Sequence, residues 1–234
     1  MHNDIIIPSE VNIVAKEKNR AVFEIRPLLP GYGTTLGNAL RRVILSSLPG
    51  AAITKVKIAN VPHEFSTIPG VLEDVIDIML NLKQVRLIMK SENFAELKLV
   101  AKGKKEVKAK DIKTPSTVEI VNKDLKLFTI TDDKTEVDMT LIAERGRGYM
   151  PAEFLTQERL LPGEIMLDAN FSPIVNVVYE VENYRFLMRT DYNLLRLTIE
   201  TDGTMTPEEA FKEACQILIN QFEALNKSVS HEAS

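Results

Sequence analysis

Residues 31–50 read GYGTTLGNALRRVILSSLPG, and this segment decides how the rest of the chain is interpreted. Three glycines crowd its start, and an apolar run with two adjacent arginines follows. A glycine-rich turn before a helix is typical of loops that bind phosphate, but it can equally begin a helix that contacts another protein. The segment therefore predicts a helix from about residue 34 to Ser47, with either a nucleotide or a protein as its partner.

The composition is that of a soluble globular protein with one large domain or two small ones. The chain has 234 residues, 44% hydrophobic and 26% charged, with a formal net charge of −4, so any nucleic-acid contact would have to be local. One cysteine excludes an intrachain disulfide, and three widely spaced histidines give no reason to expect a metal site. Because the N-terminus does not have the pattern of a signal peptide and no apolar run is long enough to span a membrane, we expect a cytoplasmic protein without membrane contact.

Hydrophobic patterning predicts an α+β fold with two styles of structure. Both ends of the chain combine strands with long helices, whereas residues 85–144 contain short alternating runs that are typical of antiparallel sheets. A second helix is predicted over residues 67–82, and a last helix from Thr206, with a Thr206–Glu209 capping box, to about Leu225. Residues 1–49 and 174–234 are therefore predicted to form one discontinuous domain of antiparallel sheet plus two long helices, with residues 50–173 as an inserted, mostly β domain.

The first helix has two different sides on a helical wheel. A broad apolar face, wide enough for a core or a dimer interface, is formed by Leu36, Ala39, Leu40, Val43 and Ile44. The opposite face carries Asn38, Arg41, Arg42 and Leu45. This opposite face is either a solvated surface with one stray leucine or a protein contact, since interfaces favour arginine beside apolar anchors.

The last helix is too apolar for a helix that buries only one face. Its apolar residues, among them Phe211, Leu218, Phe222 and Leu225, extend around more than one side. One stripe can pack on the chain's own sheet, and the rest requires another helix from this chain or from a second copy. We favour self-association, because the helix is terminal and the sequence predicts only two other long helices.

The chemical motifs are weak. In the glycine turn, Gly37 comes one position late for a dinucleotide fingerprint and no βαβ alternation follows, so a nucleotide-binding enzyme that uses Gly31, Gly33 and Gly37 is an unfavoured alternative. RGRGY at 145–149 and the lysine-rich run 98–113 could contact a polyanion, but a turn after a strand and the solvated face of a hairpin are the favoured interpretations. We find no grouping typical of catalysis, so no catalytic residue, cofactor or metal is expected.

Five segments in a fixed order suggest a family. They are GYGTTLGNALRRVILSSLPG, PHEFSTIPGVLEDVIDIMLNLK, RGRGYMPA, LDANFSPI and RTDYNLLRLTIETDGTMTPEEA. Together they resemble the N-terminal region of the bacterial RNA polymerase alpha subunit, and the resemblance covers about residues 20–225. In that family the first and last helices form a homodimer on which the β and then the β′ subunits assemble, and the polymerase chemistry lies in those larger subunits.

The resemblance also implies roles for individual residues. Arg42 and Leu45 match the family's principal β-subunit contacts, and Asn38 and Arg41 share their helix face. Lys83 and Leu167 match positions of contact with the large subunits. The dimer interface is expected to include Tyr32, Leu36, Leu40, Val43, Phe211, Leu218, Phe222 and Leu225.

Two departures from the family pattern limit what is carried over. The stretch TQERLLPGE is shorter and less acidic than a loop that some relatives use for activator contact, so that role is not expected here. The family normally continues through a linker into a small DNA-binding domain that this chain lacks. We therefore expect DNA contact only through the missing C-terminal domain.

Overall fold

The structure is a computed structural model, and it describes residues 5–90, 93–155 and 163–231. The chain divides into two compact units: a first unit of residues 1–48 and 173–234, and a second unit of residues 49–172. Within the described residues there are four α-helices, and the strands pair antiparallel, which confirms the predicted α+β class. The predicted role of the first unit in dimerisation remains a prediction.

The secondary structure follows the chain in this order. The helices are α1 (Tyr32–Ser47), α2 (Val75–Leu82), α3 (Ala152–Leu155) and α4 (Pro207–His231). The strands are β1 (Glu10–Lys16), β2 (Arg20–Leu28), β3 (Pro49–Ile58), β4 (Leu87–Met89), β5 (Phe94–Lys102), β6 (Lys105–Lys108), β7 (Ile112–Lys113), β8 (Val118–Ile120), β9 (Lys126–Ile130), β10 (Glu136–Arg147), β11 (Tyr149–Met150), β12 (Glu164–Met166), β13 (Ala169–Asn170), β14 (Ile174–Phe186) and β15 (Arg189–Thr201).

The first unit is a four-stranded antiparallel sheet in the order β1-β2-β15-β14, against which α1 and α4 pack. Alternate residues of the central strands β2 and β15 face the helices, so Phe23, Leu197 and Ile199 are buried while their neighbours are more accessible. The capping box predicted at the start of α4 is confirmed: the Thr206 N–H donates to Glu209 Oε2 at 2.9 Å, and the Glu209 N–H donates to Thr206 Oγ1 at 3.3 Å. The helix then continues past the predicted end at Leu225 to His231.

The buried face of α1 includes glycines, which were not counted on the helical wheel. The buried residues of α1 are Gly33, Gly37, Leu40 and Ile44. A Cβ atom on Gly37 would lie 2.6 Å from Tyr179 Cδ2 and 2.9 Å from Leu195 Cδ1, which is closer than carbon atoms can pack. These glycines therefore allow α1 to approach the sheet closely, whereas Leu36 and Val43 are only half-buried at the side of the contact.

The second unit contains a five-stranded sheet in the order β12-β3-β10-β5-β7 and three two-stranded sheets, β11-β13, β4-β8 and β6-β9. This agrees with the antiparallel β region predicted from the alternating pattern. The inner face of α2 closes the main core of this unit, and its Val75, Ile78 and Leu82 have no exposed surface.

The predicted second helix was wrong at its start. It was expected over residues 67–82, but α2 begins at Val75, after Asp74 has capped it by accepting from the Asp77 N–H at 2.8 Å. The preceding residues pair with β9 instead: the Leu72 N–H donates to Thr129 O at 3.0 Å, and Gly70 O accepts from the Thr131 N–H at 2.8 Å. A backbone that pairs with a strand cannot at the same time make helical hydrogen bonds.

Candidate functional site

The glycine turn before α1 is closed by the protein itself. Gly31 has a φ of 89°, a left-handed conformation that favours glycine. Its N–H donates to Asn193 Oδ1 at 2.9 Å, and the N–H of Gly33 reaches the same oxygen at 3.4 Å. Asn193 lies on β15 and is 8% exposed. Because a buried side chain of the same unit occupies donors that a phosphate would need, the geometry argues against the nucleotide-binding alternative.

The outer face of α1, defined by Asn38, Arg41, Arg42 and Leu45, is exposed. Its two arginines differ in their contacts. The Nε–H of Arg41 donates to the carbonyl of Val177 on the edge strand β14 at 3.2 Å, so the side chain is held against the sheet. In the part of the chain that the structure describes, the Arg42 guanidinium has no hydrogen-bond or ion-pair partner. With Leu45, which is 37% exposed, Arg42 is therefore a charged group beside an apolar anchor and is available to another protein.

The residues expected at a dimer interface differ widely in exposure. Leu40 is 6% exposed and belongs to the unit's own core, and Phe211 stacks on Phe23 with ring centroids 4.9 Å apart. Both offer little surface to a second chain, and their assignment to an interface stays a prediction. Tyr32 is 38% exposed, and Leu36, Val43 and Leu218 are half-buried.

The last turns of α4 carry a stripe of exposed apolar residues. Phe222 and Leu225 are 65% and 62% exposed, and Ile219, which was not among the residues expected at the dimer interface, is 48% exposed. We call these three residues the distal stripe of α4. The distal stripe is therefore the part of α4 whose apolar side chains the unit leaves uncovered.

In the second unit, the structure brings Lys83 and Leu167 to one groove although they are far apart in sequence. The groove has a volume of about 270 Å³ and is lined by Glu64, Ile76, Met79, Leu80, Lys83, Met166, Leu167 and Asp168. Its exposed apolar rim is formed by Ile76 and Leu80, 37% and 51% exposed, one turn of α2 apart. Leu167 is 1% exposed and forms part of the core beneath the groove, so its burial favours a supporting position, and its direct contact with another subunit stays a prediction.

Two of the residues that line this groove form an ion pair. Lys83 Nζ donates to Asp168 Oδ2 at 2.9 Å, and the Ala152 N–H donates to Asp168 Oδ1 at 2.9 Å. These hydrogen bonds, that from Lys83 first, hold the pKa of Asp168 below its ordinary value. Asp168 was not among the predicted site residues, and its partners, Ala152 and Lys83, lie 16 and 85 positions away, too far for a local pattern to reveal.

The two basic motifs have structural roles. RGRGY is the end of β10, a turn at Gly148 and the start of β11, as the favoured interpretation predicted. Much of the charge in the lysine-rich run is paired within the unit, in the ion pairs Lys98–Asp138, Lys102–Glu136, Lys105–Asp111 and Lys108–Glu106. This pairing reduces the positive charge available to a polyanion.

Residues 5–90, 93–155 and 163–231 carry neither a metal-binding cluster nor a membrane-spanning helix. No cluster of three or more His, Cys, Asp or Glu side chains that could hold a metal ion occurs there. None of the helices in that part of the chain is long and apolar enough to cross a membrane. Residues 156–162 of the stretch TQERLLPGE, which differs from the acidic activator-contact loop of some relatives, lie outside the described residues.

Comparison with known proteins gives a consistent result. Residues 56–172 match the family model described as the RNA polymerase Rpb3/RpoA insert domain. The chain is 50% identical over 217 residues to the DNA-directed RNA polymerase subunit alpha of Roseiflexus sp. strain RS-1, which covers 92% of this chain and 66% of the relative. It is 44% identical over 226 residues to the subunit alpha of Aquifex aeolicus, covering 96% of this chain and 71% of the relative.

The matches extend over both units and include most of the elements described above. The chain spans about two thirds of the length of the curated relatives it matches. With such identity over almost all of its own length, this chain belongs to the family of DNA-directed RNA polymerase alpha subunits.

Proposed function

We propose that this chain is the assembly region of an RNA polymerase alpha subunit. It forms a homodimer, and the dimer carries the β and β′ subunits that perform DNA-templated RNA synthesis, while the chain itself has no active site. The observation that carries the proposal is the 44–50% identity to polymerase alpha subunits over more than nine tenths of the chain. A polymerase subunit works where bacterial DNA is, so the proposal includes a cytoplasmic location.

The distal stripe of α4 supports the homodimer. Ile219, Phe222 and Leu225 lie on a helix whose first half is anchored in the core, so they are held in place and yet uncovered. In a symmetric dimer both chains contribute the same surface to the interface, so the distal stripes of both chains are covered. The half-buried Leu36 and Val43 of α1 and the exposed Tyr32 add apolar surface from the same unit.

The outer face of α1 supports a contact with the β subunit. Residues at protein interfaces that contribute most to affinity are enriched in arginine, and they act best beside apolar groups that exclude water. Arg42 and Leu45 have this arrangement, whereas Arg41 already donates to Val177 O. The proposal therefore assigns the main contact to Arg42, with Leu45 as its apolar neighbour and Asn38 and Arg41 at the margin.

The groove of the second unit supports a contact with the large subunits. Its rim residues Ile76 and Leu80 are exposed, and its floor is apolar, so a side chain of another protein could be buried there. Lys83 and Leu167, which the resemblance assigns to such a contact, both line it.

The test of the α1 contact compares the two arginines. Tagged chain carrying Arg42→Ala is mixed with purified β subunit, and we expect about 30-fold weaker binding, which corresponds to about 2 kcal/mol for an interface hot spot. Arg41→Ala is the matched control, and we expect a smaller loss because its guanidinium is engaged within the chain. Light scattering should give the dimer mass for both variants. If Arg42→Ala binds β as well as the parent chain does, the assignment of this surface is wrong.

The groove is tested with a second matched pair. Leu80→Lys places a charge on the rim, whereas Val100→Lys places the same charge on another partly exposed position of the second unit, opposite Asp138 on β10. Retention of β and β′ by the tagged dimer should fall at least tenfold for Leu80→Lys and stay unchanged for Val100→Lys. Equal retention by the two variants would contradict a contact in the groove.

A further inference from the structure

Asp168 joins three segments of the second unit at one carboxylate. Its Oδ2 accepts from Lys83 Nζ at the C-terminal end of α2, and its Oδ1 accepts from the Ala152 N–H at the start of α3, both at 2.9 Å. The carboxylate itself lies just after β12. One side chain therefore ties the wall of the groove at residues 166–168 to α2 on one side and to residue 152 on the other.

The same wall is fixed at a second point. The Leu167 N–H donates to Thr54 O on β3 at 2.8 Å, and the Leu167 side chain is 1% exposed in the core. Met166 is the last residue of β12, directly before this anchor, and it lines the groove. Met166 also pairs with Lys55 of β3, so this wall is held to β3, and Asp168 joins the same wall to α2 through Lys83.

Lys83 is poorly placed for a strong contact of its own with another protein. Its ammonium group is 2.9 Å from a carboxylate that also holds a backbone N–H, and its side chain is 30% exposed. An acidic group of a partner would have to compete with Asp168 for it. The cation also lies at the C-terminal end of a helix, where the helix dipole favours positive charge, so two effects within the unit hold it in position.

We propose that Lys83 and Asp168 form a latch that sets the width of the groove, and that Lys83 acts on large-subunit binding through Asp168 and not by direct contact. Lys83 and Asp168 are then positioning residues, and the contact itself is made by Ile76, Leu80 and Met166. The inference rests on the proposed function of the groove and changes what its charged residues do. The lowered pKa of Asp168 is consistent with it, because Lys83 is the largest cause of that shift.

A double-mutant cycle separates the two roles of Lys83. Retention of β and β′ by the tagged dimer is measured for Lys83→Met, Asp168→Asn and the double variant. Asn at 168 can still accept from the Ala152 N–H, so it removes only the charge that pairs with Lys83. A latch predicts that each single variant loses about tenfold in affinity and that the double variant loses about tenfold as well, because one interaction is removed in all three. A direct contact by Lys83 predicts that Lys83→Met weakens binding about tenfold in the Asp168→Asn background as well, and that result would overturn the proposal.

Rescue by a conservative change gives a second arm. Lys83→Arg keeps a cation that can reach Asp168, so retention should return to within about threefold of the parent chain. In the Asp168→Asn background, Lys83→Arg and Lys83→Met should be equal. A lack of rescue in the parent background would count against the latch.

A readout on the dimer alone tests the latch even if the groove binds nothing. The Ala152 N–H donates to Asp168, so its hydrogen exchange reports whether that carboxylate is held in place. We expect Lys83→Met to accelerate exchange at Ala152 at least fivefold and Leu80→Lys to leave it unchanged. Unchanged exchange in Lys83→Met overturns the latch. Unchanged binding in Leu80→Lys contradicts the proposed groove contact instead, so the two failures are distinguishable.

Discussion

The two halves of α4 both carry apolar residues at helical spacing, but their surroundings differ. In the first half, Ala210 and Ala214 have no exposed surface, and Phe211 stacks on Phe23 of the sheet. In the second half, Phe222 and Leu225 continue the apolar pattern and are 65% and 62% exposed. Apolar periodicity alone does not distinguish a residue buried in the unit's own core from one left exposed for another chain. The surroundings of the residue in the structure make that distinction.

Removal of a ring from the first half should lower the stability of the fold. For Phe211→Ala we expect the free energy of unfolding to fall by about 3 kcal/mol, near the lower end for a phenylalanine because this one is only half-buried. The measurement is urea unfolding followed by circular dichroism. The same change in the second half, Phe222→Ala, should cost less than about 1 kcal/mol when both variants are compared as monomers at high dilution. Equal losses of unfolding free energy in the two variants would contradict a difference between the two halves of α4.

Charge in the second half should separate the chains without unfolding them. For the double variant Phe222→Asp, Leu225→Asp we expect the dissociation constant of the dimer to rise about 100-fold, equivalent to about 2.7 kcal/mol, because two carboxylates would be buried without partners. Light scattering at micromolar concentration should then give the monomer mass, while the circular dichroism spectrum stays helical.

The control for this effect lies on the polar side of the same half. Lys227 pairs with Glu223 one turn away, and its side chain is 78% exposed. Lys227→Ala should change neither the dimer mass nor the stability by more than about 0.5 kcal/mol, the usual worth of such a pair. A dimer that survives both aspartates would show that the distal stripe is not its interface.

The capping box should have a small effect that depends on pH. Hydrogen bonds from Thr206 hold the pKa of Glu209 below its ordinary value, so the folded chain binds fewer protons there than the unfolded chain does. The resulting stability is complete above the ordinary pKa and is lost as the pH falls through the lowered one. Glu209→Gln should therefore lower the free energy of unfolding by at most about 1 kcal/mol at pH 7, and the difference from the parent chain should shrink below about pH 4. A difference that stays constant down to pH 3 would contradict this origin.

The sequence predicted the fold class and most elements because they follow from local patterns. It placed Leu40 and Ile44 on the inner side of α1, but it did not include Gly33 and Gly37, since a hydrophobic wheel counts apolar side chains and cannot show where a missing side chain permits close contact. It began α2 too early because Leu72 fits the apolar stripe, while the pairing of its backbone with β9 depends on Thr129, far away in sequence.

The candidate surfaces were predictable only in part for the same reason. The wheel grouped Arg41 with Arg42, but the contact between Arg41 and Val177 spans 136 positions, and it separates the two arginines. The family resemblance pointed to Lys83, and nothing near it in sequence pointed to Asp168, which the fold brings to 2.9 Å. Side chains that depend on partners from distant strands were therefore the ones that sequence reasoning missed.

The contact made by Asn193 also depends on the order in which the chain is synthesised. The Asn193 side chain accepts the Gly31 N–H at the start of α1, 162 positions earlier, and β15 supplies the neighbour that β2 needs in the sheet. A ribosome that adds roughly 5–20 residues per second takes about 8–30 s to travel from one to the other. During that time the start of α1 lacks its acceptor. In the part of the chain that the structure describes, the strands of the second unit pair with one another, and all of them are made before Asn193. The start of α1 is thus synthesised early and gains this acceptor only after residues 49–172 have been made.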